Sequence, residues 1–234
     1  LFRSHMLLAL ETANDQCSVA LSHQSQVVAY RHDGRAREQT RMLLPMVDQV
    51  LTEAQLSLAQ LEAIAFSRGP GSFSGIRINA AVAQALAWAH DLPVIPVSTL
   101  QALAQASGAG AGARVLAVLD ARMNEIYAAA FEIDATGMAQ PVGDEQLVGY
   151  DAVQVPLAWQ HQSVFVVGSG ATLVDLGALA IAVTLDATVS ANAKQIAQLA
   201  TVALQRGQQV IPEHGLPVYL RDNAWKKIAE QGRR

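Results

Sequence analysis

The residues best placed by type and spacing to do chemistry are Ser67-Arg68-Gly69-Pro70-Gly71-Ser72-Phe73-Ser74-Gly75-Ile76-Arg77. They follow a short apolar run at 63–66 and open an alanine-rich helical pattern over 76–89. Gly69 and Gly71 can take positive φ without a Cβ penalty, and Pro70 fixes φ between them. Ser72 or Ser74 can cap the helix with a side-chain oxygen, and free amides at the helix start could hold an anion. The same glycines, with Gly75, also suit a tight strand-to-helix turn that binds nothing. The stretch lacks the Lys-Ser/Thr ending of a P-loop and is not a Walker A motif. The histidines His23, His32, His90, His161 and His214 are scattered without ligand spacing, and no His-Glu-x-x-His occurs. Cys17, the only cysteine, falls in an apolar strand pattern, where a small core residue is expected rather than a nucleophile.

The elements that must position these residues read as α/β. Strand patterns at 7–12, 17–22 and 26–31 form a meander. An apolar helical pattern follows at Leu43, Leu44, Val47, Val50, Leu51 and Ala54, with Pro45 either near its start or at a kink. Then come the 63–66 strand, the glycine turn, the 76–89 helix, a strand at 94–97 and a helix capped by Ser98. Small residues at 108–112 read as a linker. The plan then repeats, with strands at 115–119, 126–133 and 146–148, a weak helix at 151–160, and a strand at 164–167. That strand runs into Gly168-Ser169-Gly170-Ala171 and a helix start, and Ser190 caps a last helix. Each half therefore reads βββαβα, which favours two mixed-sheet lobes, 6–108 and 113–211, with 212–234 as a C-terminal tail. Residues 1–5 run into Met6 as a Ser-His-Met junction of the kind cloning leaves, and are set aside.

Length and composition narrow the classes further. The chain has 234 residues, 51% of them apolar, and a net charge of −4. That balance disfavours a dedicated RNA-binding protein, although Arg221, Lys226, Lys227, Arg233 and Arg234 make the tail basic. No apolar run approaches the ~18 residues of a membrane span, and a cytoplasmic location is expected.

Five stretches in order resemble the TsaB family of bacterial tRNA threonylcarbamoyladenosine biosynthesis proteins. They are Leu8-Ala9-Leu10-Glu11-Thr12-Ala13, Glu38-Gln39-Thr40 with Leu44-Pro45-Met46-Val47, the glycine turn, Leu119-Asp120-Ala121-Arg122 with Glu125-Ile126-Tyr127, and Pro217-Val218-Tyr219-Leu220-Arg221. The resemblance implies the actin-like ATPase fold, with two RNase-H-like lobes. It implies a scaffold that dimerises with a paralogous transferase, TsaD, and supports its modification of the adenosine beside the anticodon. A small ATPase, TsaE, joins the assembly, tRNA is met only through the complex, and a homodimer is open when the chain is alone. The paired histidines that hold the transferase's metal are absent here, where the first helix begins Glu38-Gln39-Thr40-Arg41-Met42. No metal site and no catalytic residue is therefore expected.

Nucleotide chemistry is expected to be weak or vestigial. An active member of the superfamily wraps phosphates with two strand turns that carry glycine. Here Glu11-Thr12-Ala13-Asn14-Asp15 and Asp120-Ala121-Arg122-Met123-Asn124 have none. Glu11, Asp120, Gly168, Ser169 and Gly170 remain the candidates. Asp120 could hold Mg²⁺ through water, pair with Arg122 or cap a turn. No cofactor is expected of the isolated chain, with ATP or ADP and Mg²⁺ possible in the complex. The alternative is a free-standing actin-like ATPase or small-molecule kinase. For the partner face, the alanine-rich helix allows close helix packing, and Leu43, Met46, Val47, Arg77, Ala81, Ala85 and Trp88 are the expected contacts.

Overall fold

The structure, a computed structural model, describes residues 6–221. Residues 1–5 and the basic tail residues Lys226, Lys227, Arg233 and Arg234 lie outside the described residues. The first sheet contains β1 (Met6–Glu11), β2 (Cys17–His23), β3 (Gln26–Asp33), β4 (Ala63–Gly69) and β5 (Val94–Ser98), in the order β3-β2-β1-β4-β5. The second contains β6 (Arg114–Arg122), β7 (Glu125–Ile133), β8 (Ala139–Pro141), β9 (Gln146–Gly149), β10 (Ser163–Val167) and β11 (Ala182–Asp186). Its order is β11-β10-β6-β7-β8, with β9 also on β7. In both, an antiparallel meander carries two parallel strands on one side of its first strand. The positive-φ glycine recurs too: Gly69 (φ 106°) closes β4 and Gly168 (φ 105°) follows β10.

Helices α1 (Gln39–Ala54) and α2 (Phe73–Ala89) cover one face of the first sheet, and α3 (Thr99–Ala106) and α4 (Ala193–Gln205) lie between the two sheets. The layer exchanges partners. Helix α3, from the first half, packs on β6, β7 and β8, while α4, from the second, packs on β1 and β2. One core accordingly joins Leu7, Ala9, Ile95 and Val97 to Val115, Ala117 and Phe131 through Leu100, Leu103, Ile196 and Ala200. The small linker at 108–112 thus separates the strands of the two sheets without separating their cores.

The second half departs from the expected plan. No α-helix forms over 151–160; only Leu157–Trp159 turns once as a 3₁₀ helix. After the Gly168 turn comes another 3₁₀ turn, Leu176–Leu179, in place of a helix. Proline at 156, followed by Leu157, Ala158 and Trp159, cannot sustain a helical ladder, yet the segment supplies Val153 and Trp159 to cover Leu116, Val118 and Val166. The cap of α4 is Asn192, with Gln195 completing a capping box, and not Ser190. Pro45 sits inside α1 on its exposed side, so the helix continues through it and only a solvent-side bond is lost.

The glycine turn is explained by close approach. A Cβ at Gly75 would lie 2.0 Å from the Thr12 carbonyl oxygen, and one at Gly71 would lie 2.4 Å from that of Ala13. Thr12 Oγ1 donates to the Gly75 carbonyl at 2.7 Å, and Ser72 N–H donates to the Ala13 carbonyl at 2.7 Å. Gly71→Ala and Gly75→Ala should each destabilise the protein by about 2 kcal/mol or more, because backbone must move to admit the methyl. Gly110→Ala, where a Cβ meets nothing within 4 Å, should stay within about 0.5 kcal/mol. Urea unfolding of the three variants checks the contrast.

Candidate functional site

The ends of β1, β4 and β6 and the C-terminal segment converge on a cavity of about 610 Å³ between the sheets. Its wall includes Ala13, Asn14 and Asp15 from the β1–β2 turn, Pro70–Phe73 from the glycine turn, and Asp120–Met123 from the β6–β7 hairpin. Ser169, Tyr127 and 218–221 complete it. The last of these arrives as a strap. Gln84 Nε2 donates to the Pro212 carbonyl at 2.9 Å, and Val218 N–H to the Arg68 carbonyl at 2.8 Å. The Tyr219 ring lies 5.7 Å from that of Phe73. Arg221 then reaches Glu125 at 3.0 Å, the Ala121 carbonyl at 3.2 Å and Met123 Sδ at 3.2 Å. A second clasp joins the halves, since Arg68 binds Glu145 through two 3.2 Å bonds and Ser98 Oγ donates to the same carboxylate.

The expected nucleotide residues divide between cavity and core. Asp120 and Ser169 line the cavity. Asp120 Oδ1 accepts from Arg122 N–H at 2.8 Å, its other oxygen pairs with the Arg122 guanidinium at 3.2 Å, and Ser169 Oγ accepts from Asp120 N–H at 3.2 Å. Of the roles open to Asp120, pairing with Arg122 and capping its own turn are the ones seen. Gly168 and Gly170 are buried. A Cβ at Gly170 would meet Val118 Cγ1 at 2.7 Å and the Leu119 carbonyl carbon at 2.9 Å, so this glycine serves packing on β6. Glu11 does not face the cavity wall at all. It is 1% exposed and accepts from Ala13 N–H at 2.5 Å. Three amides at the start of α2 are engaged, Gly75 N–H by Ser72 Oγ, Ile76 N–H by the Ser72 carbonyl and Ser72 N–H by the Ala13 carbonyl. Among the described residues, no group of three or more His, Cys, Asp or Glu is placed to hold a metal ion.

Burial pushes the Glu11 carboxyl up to about 7, against the lowering effect of the Ala13 amide and the Ser67 hydroxyl. Its neighbours form a polar knot under the glycine turn. Asn79 Nδ2 donates to Ser67 Oγ at 2.7 Å and to the Leu10 carbonyl at 3.1 Å, tying α2 to β1 and β4.

The expected partner-contact residues also divide. Leu43, Met46 and Val47 are 1%, 3% and 4% exposed and belong to the core under α1. They occupy the inward i, i+3, i+4 stripe, and the outward residues of that turn are Leu44 and Pro45. On α2 the inward positions are Ile76, Asn79, Ala80, Ala83 and Ala87. Arg77, Ala81, Ala85 and Trp88 are exposed, Trp88 at 73%. With Phe73, whose ring lies 4.9 Å from the Arg77 guanidinium carbon, they form one stripe along the helix. Sequence reasoning assigned no site role to Phe73, Tyr127, Tyr219 or Arg221, although all four stand in the family-like motifs. Nothing in the sequence singled out Met123 or the pairing of Arg68 with Glu145.

A five-stranded and a six-stranded mixed sheet joined by exchanged helices, with the cleft at the ends of the inner strands, make the actin-like ATPase fold. The family model described as "TsaD: tRNA N6-adenosine threonylcarbamoyltransferase" matches residues 34–229. The chain is 39% identical over 226 residues to the tRNA threonylcarbamoyladenosine biosynthesis protein TsaB of Escherichia coli K12, covering 95% of this chain and 97% of that protein. It is 47% identical over 122 residues to TsaB of Haemophilus influenzae, covering 52% and 51%. The solved structure of YeaZ from Pseudomonas aeruginosa superposes with a TM-score of 0.83 at 38% identity, over 92% of this chain and 99% of that one. The chain belongs to the TsaB family.

The Glu11 carboxyl gives the fold a pH dependence. Its folded value of about 7 exceeds the ordinary 4.5, so between those values the folded chain keeps a proton that the unfolded chain has released. Stability should therefore fall as pH rises from about 4.5 to 7 and level off above, by roughly 3 kcal/mol at most. Glu11→Gln should remove that slope and be more stable than the parent at pH 8. Unfolding midpoints of both proteins from pH 5 to 8 check this, and parallel curves would refute it.

Proposed function

We propose that this chain acts in tRNA threonylcarbamoyladenosine biosynthesis as a non-catalytic accessory subunit. It binds and activates a TsaD-type transferase, which modifies N6 of the adenosine next to the anticodon in tRNAs that read codons beginning with A. The observation that carries the reading is the pairing of a β1 end packed against the glycine turn with an exposed small-residue helix face. Ala13 and the packed glycine turn occupy the β1 end where a phosphate turn would need open backbone, and Glu11 is turned inward. On α2, Ala81 and Ala85 leave room for another helix to approach closely, framed by Arg77 and Trp88.

In this reading the transferase docks on α2, beside the exposed Leu44 and Pro45 of α1. The isolated chain needs no cofactor, and the assembled complex is where ATP or ADP with Mg²⁺ could enter. A TsaE-type ATPase joins that complex, tRNA is met through it, and both a monomer and a homodimer are open to the chain alone. The work is done in the cytoplasm; no helix among the described residues is long and apolar enough to cross a membrane. A second reading, a free-standing ATPase or small-molecule kinase, draws on Asp120 and Ser169 facing the cavity.

Reconstitution separates the two. Transferase, threonylcarbamoyl-AMP and tRNA should modify tRNA at least tenfold faster with this chain than without it, and the chain alone should turn over no ATP. Sustained ATP turnover by the purified chain, lost in Asp120→Ala, would favour the kinase or ATPase. Ala81→Glu and Ala85→Glu should fold, since both sites are exposed in the monomer. Each should abolish co-elution with the transferase, because an unpaired carboxylate buried at an interface costs several kcal/mol.

A further inference from the structure

The β6–β7 hairpin is strained at its most exposed point. Arg122, Met123 and Asn124 take φ of 62°, 54° and 58°, three consecutive left-handed residues without a glycine. Asn tolerates this region, whereas Arg and Met are disfavoured there because Cβ crowds the following carbonyl. A two-residue hairpin of this geometry is ordinarily closed by Asn-Gly or Asp-Gly. Neither side chain contributes to the core: Arg122 is 80% exposed at its side chain and Met123 77% exposed overall. The conformation is held by other residues, Asp120 bonding the Arg122 amide and Arg221 bracing Ala121, Met123 and Glu125. The fold therefore maintains a costly turn whose effect is to present an arginine and a methionine to solvent.

That tip adjoins the α2 stripe. Met123, Tyr219 and Phe73 share the cavity rim, the rings of Tyr219 and Phe73 touch, and Arg77 lies over Phe73. Met123, Tyr219 and Phe73, exposed by 77%, 42% and 37%, line one cavity, and Phe73 heads the exposed α2 stripe of Arg77, Ala81, Ala85 and Trp88. The α2 face alone is small. Seventeen residues make a helix about 25 Å long, and a strip about 10 Å wide offers roughly 250 Å². A specific interface needs ~800 Å² on each side. Doubling the strip with α1 still falls short, so the contact must extend, and the hairpin and strap continue the apolar surface beyond the start of α2.

We propose that the hairpin tip, Arg122 and Met123, is a second contact for the same transferase that docks on α2, so that the partner spans both halves of this chain. This rests on the docking reading above. The partner surface it fits is an apolar depression for the Met123 thioether with a carboxylate near Arg122 and Arg77.

The test uses glycine, which relaxes the turn while removing the side chain. Met123→Gly and Arg122→Gly, in the full chain, should melt at or above the parent temperature. Their Kd for the TsaD-type transferase, by titration calorimetry, should rise tenfold or more. Ala81→Glu is measured beside them. Glycine variants that bind within twofold of the parent, while Ala81→Glu fails to bind, overturn the hairpin contact and leave the α2 reading standing. If all three variants bind as the parent does, or the parent itself does not bind, both are overturned. Loss of affinity in the glycine variants with Ala81→Glu unaffected would sustain the hairpin and move the interface off α2. A drop in melting temperature in both glycine variants would show that the turn is structural and overturn the proposal.

Discussion

The molecule is organised around the contact between the carbonyls of Thr12 and Ala13 and the glycines at the start of α2. Gly71 and Gly75 let two backbones meet at distances that no side chain could share. The Asn79–Ser67 knot and the buried Glu11 sit directly beneath. This contact fixes where α2 begins and how it is rotated, and hence which of its residues face solvent. It also packs backbone against the end of β1. One steric fact thus shapes the wall of the cavity there and sets which face of α2 is exposed.

The two halves are held as one body by three further devices. The exchanged helices α3 and α4 make a single core out of two sheets. The Arg68–Glu145–Ser98 clasp, partly buried, ties β4 and the start of α3 to the segment before β9. The strap over 212–221 runs from Gln84 on α2 to Glu125 on β7. A chain braced at three places holds the β6–β7 hairpin tip in a constant position relative to α2.

Much of this was legible in the sequence. The meander, the strand–glycine–helix order and the α2 start follow from local chemistry: alternating or continuous apolar runs, Ser72 three residues before Gly75, and Ser98 before an apolar helix. The 151–160 segment and the region after Gly168 were not legible as they fold. Their apolar spacing fits a helix, but Pro156 interrupts the first segment, and an irregular path suffices to cover the Leu116–Val166 face. The α1 stripe Leu43, Met46 and Val47 was read correctly as a helix face but placed toward the partner, because periodicity identifies an apolar stripe without saying what covers it.

The sequence by itself determined that glycines crowd the strand-to-helix turn, where most strands lie (β8 and β11 excepted), and that no paired histidines stand on the first helix. These are local properties, settled by φ, ψ and side-chain type within a few residues. Tertiary structure alone decided that Glu11 is an inward acid, that Gly170 serves packing, and that Asp120 and Ser169 share a cavity with Tyr219 and Met123. Each depends on a contact between residues tens of positions apart, as with Glu145 on Arg68 or Arg221 on the β6–β7 hairpin. A charge or a glycine has no assigned purpose until the group opposite it is known, and that group is supplied only by the fold.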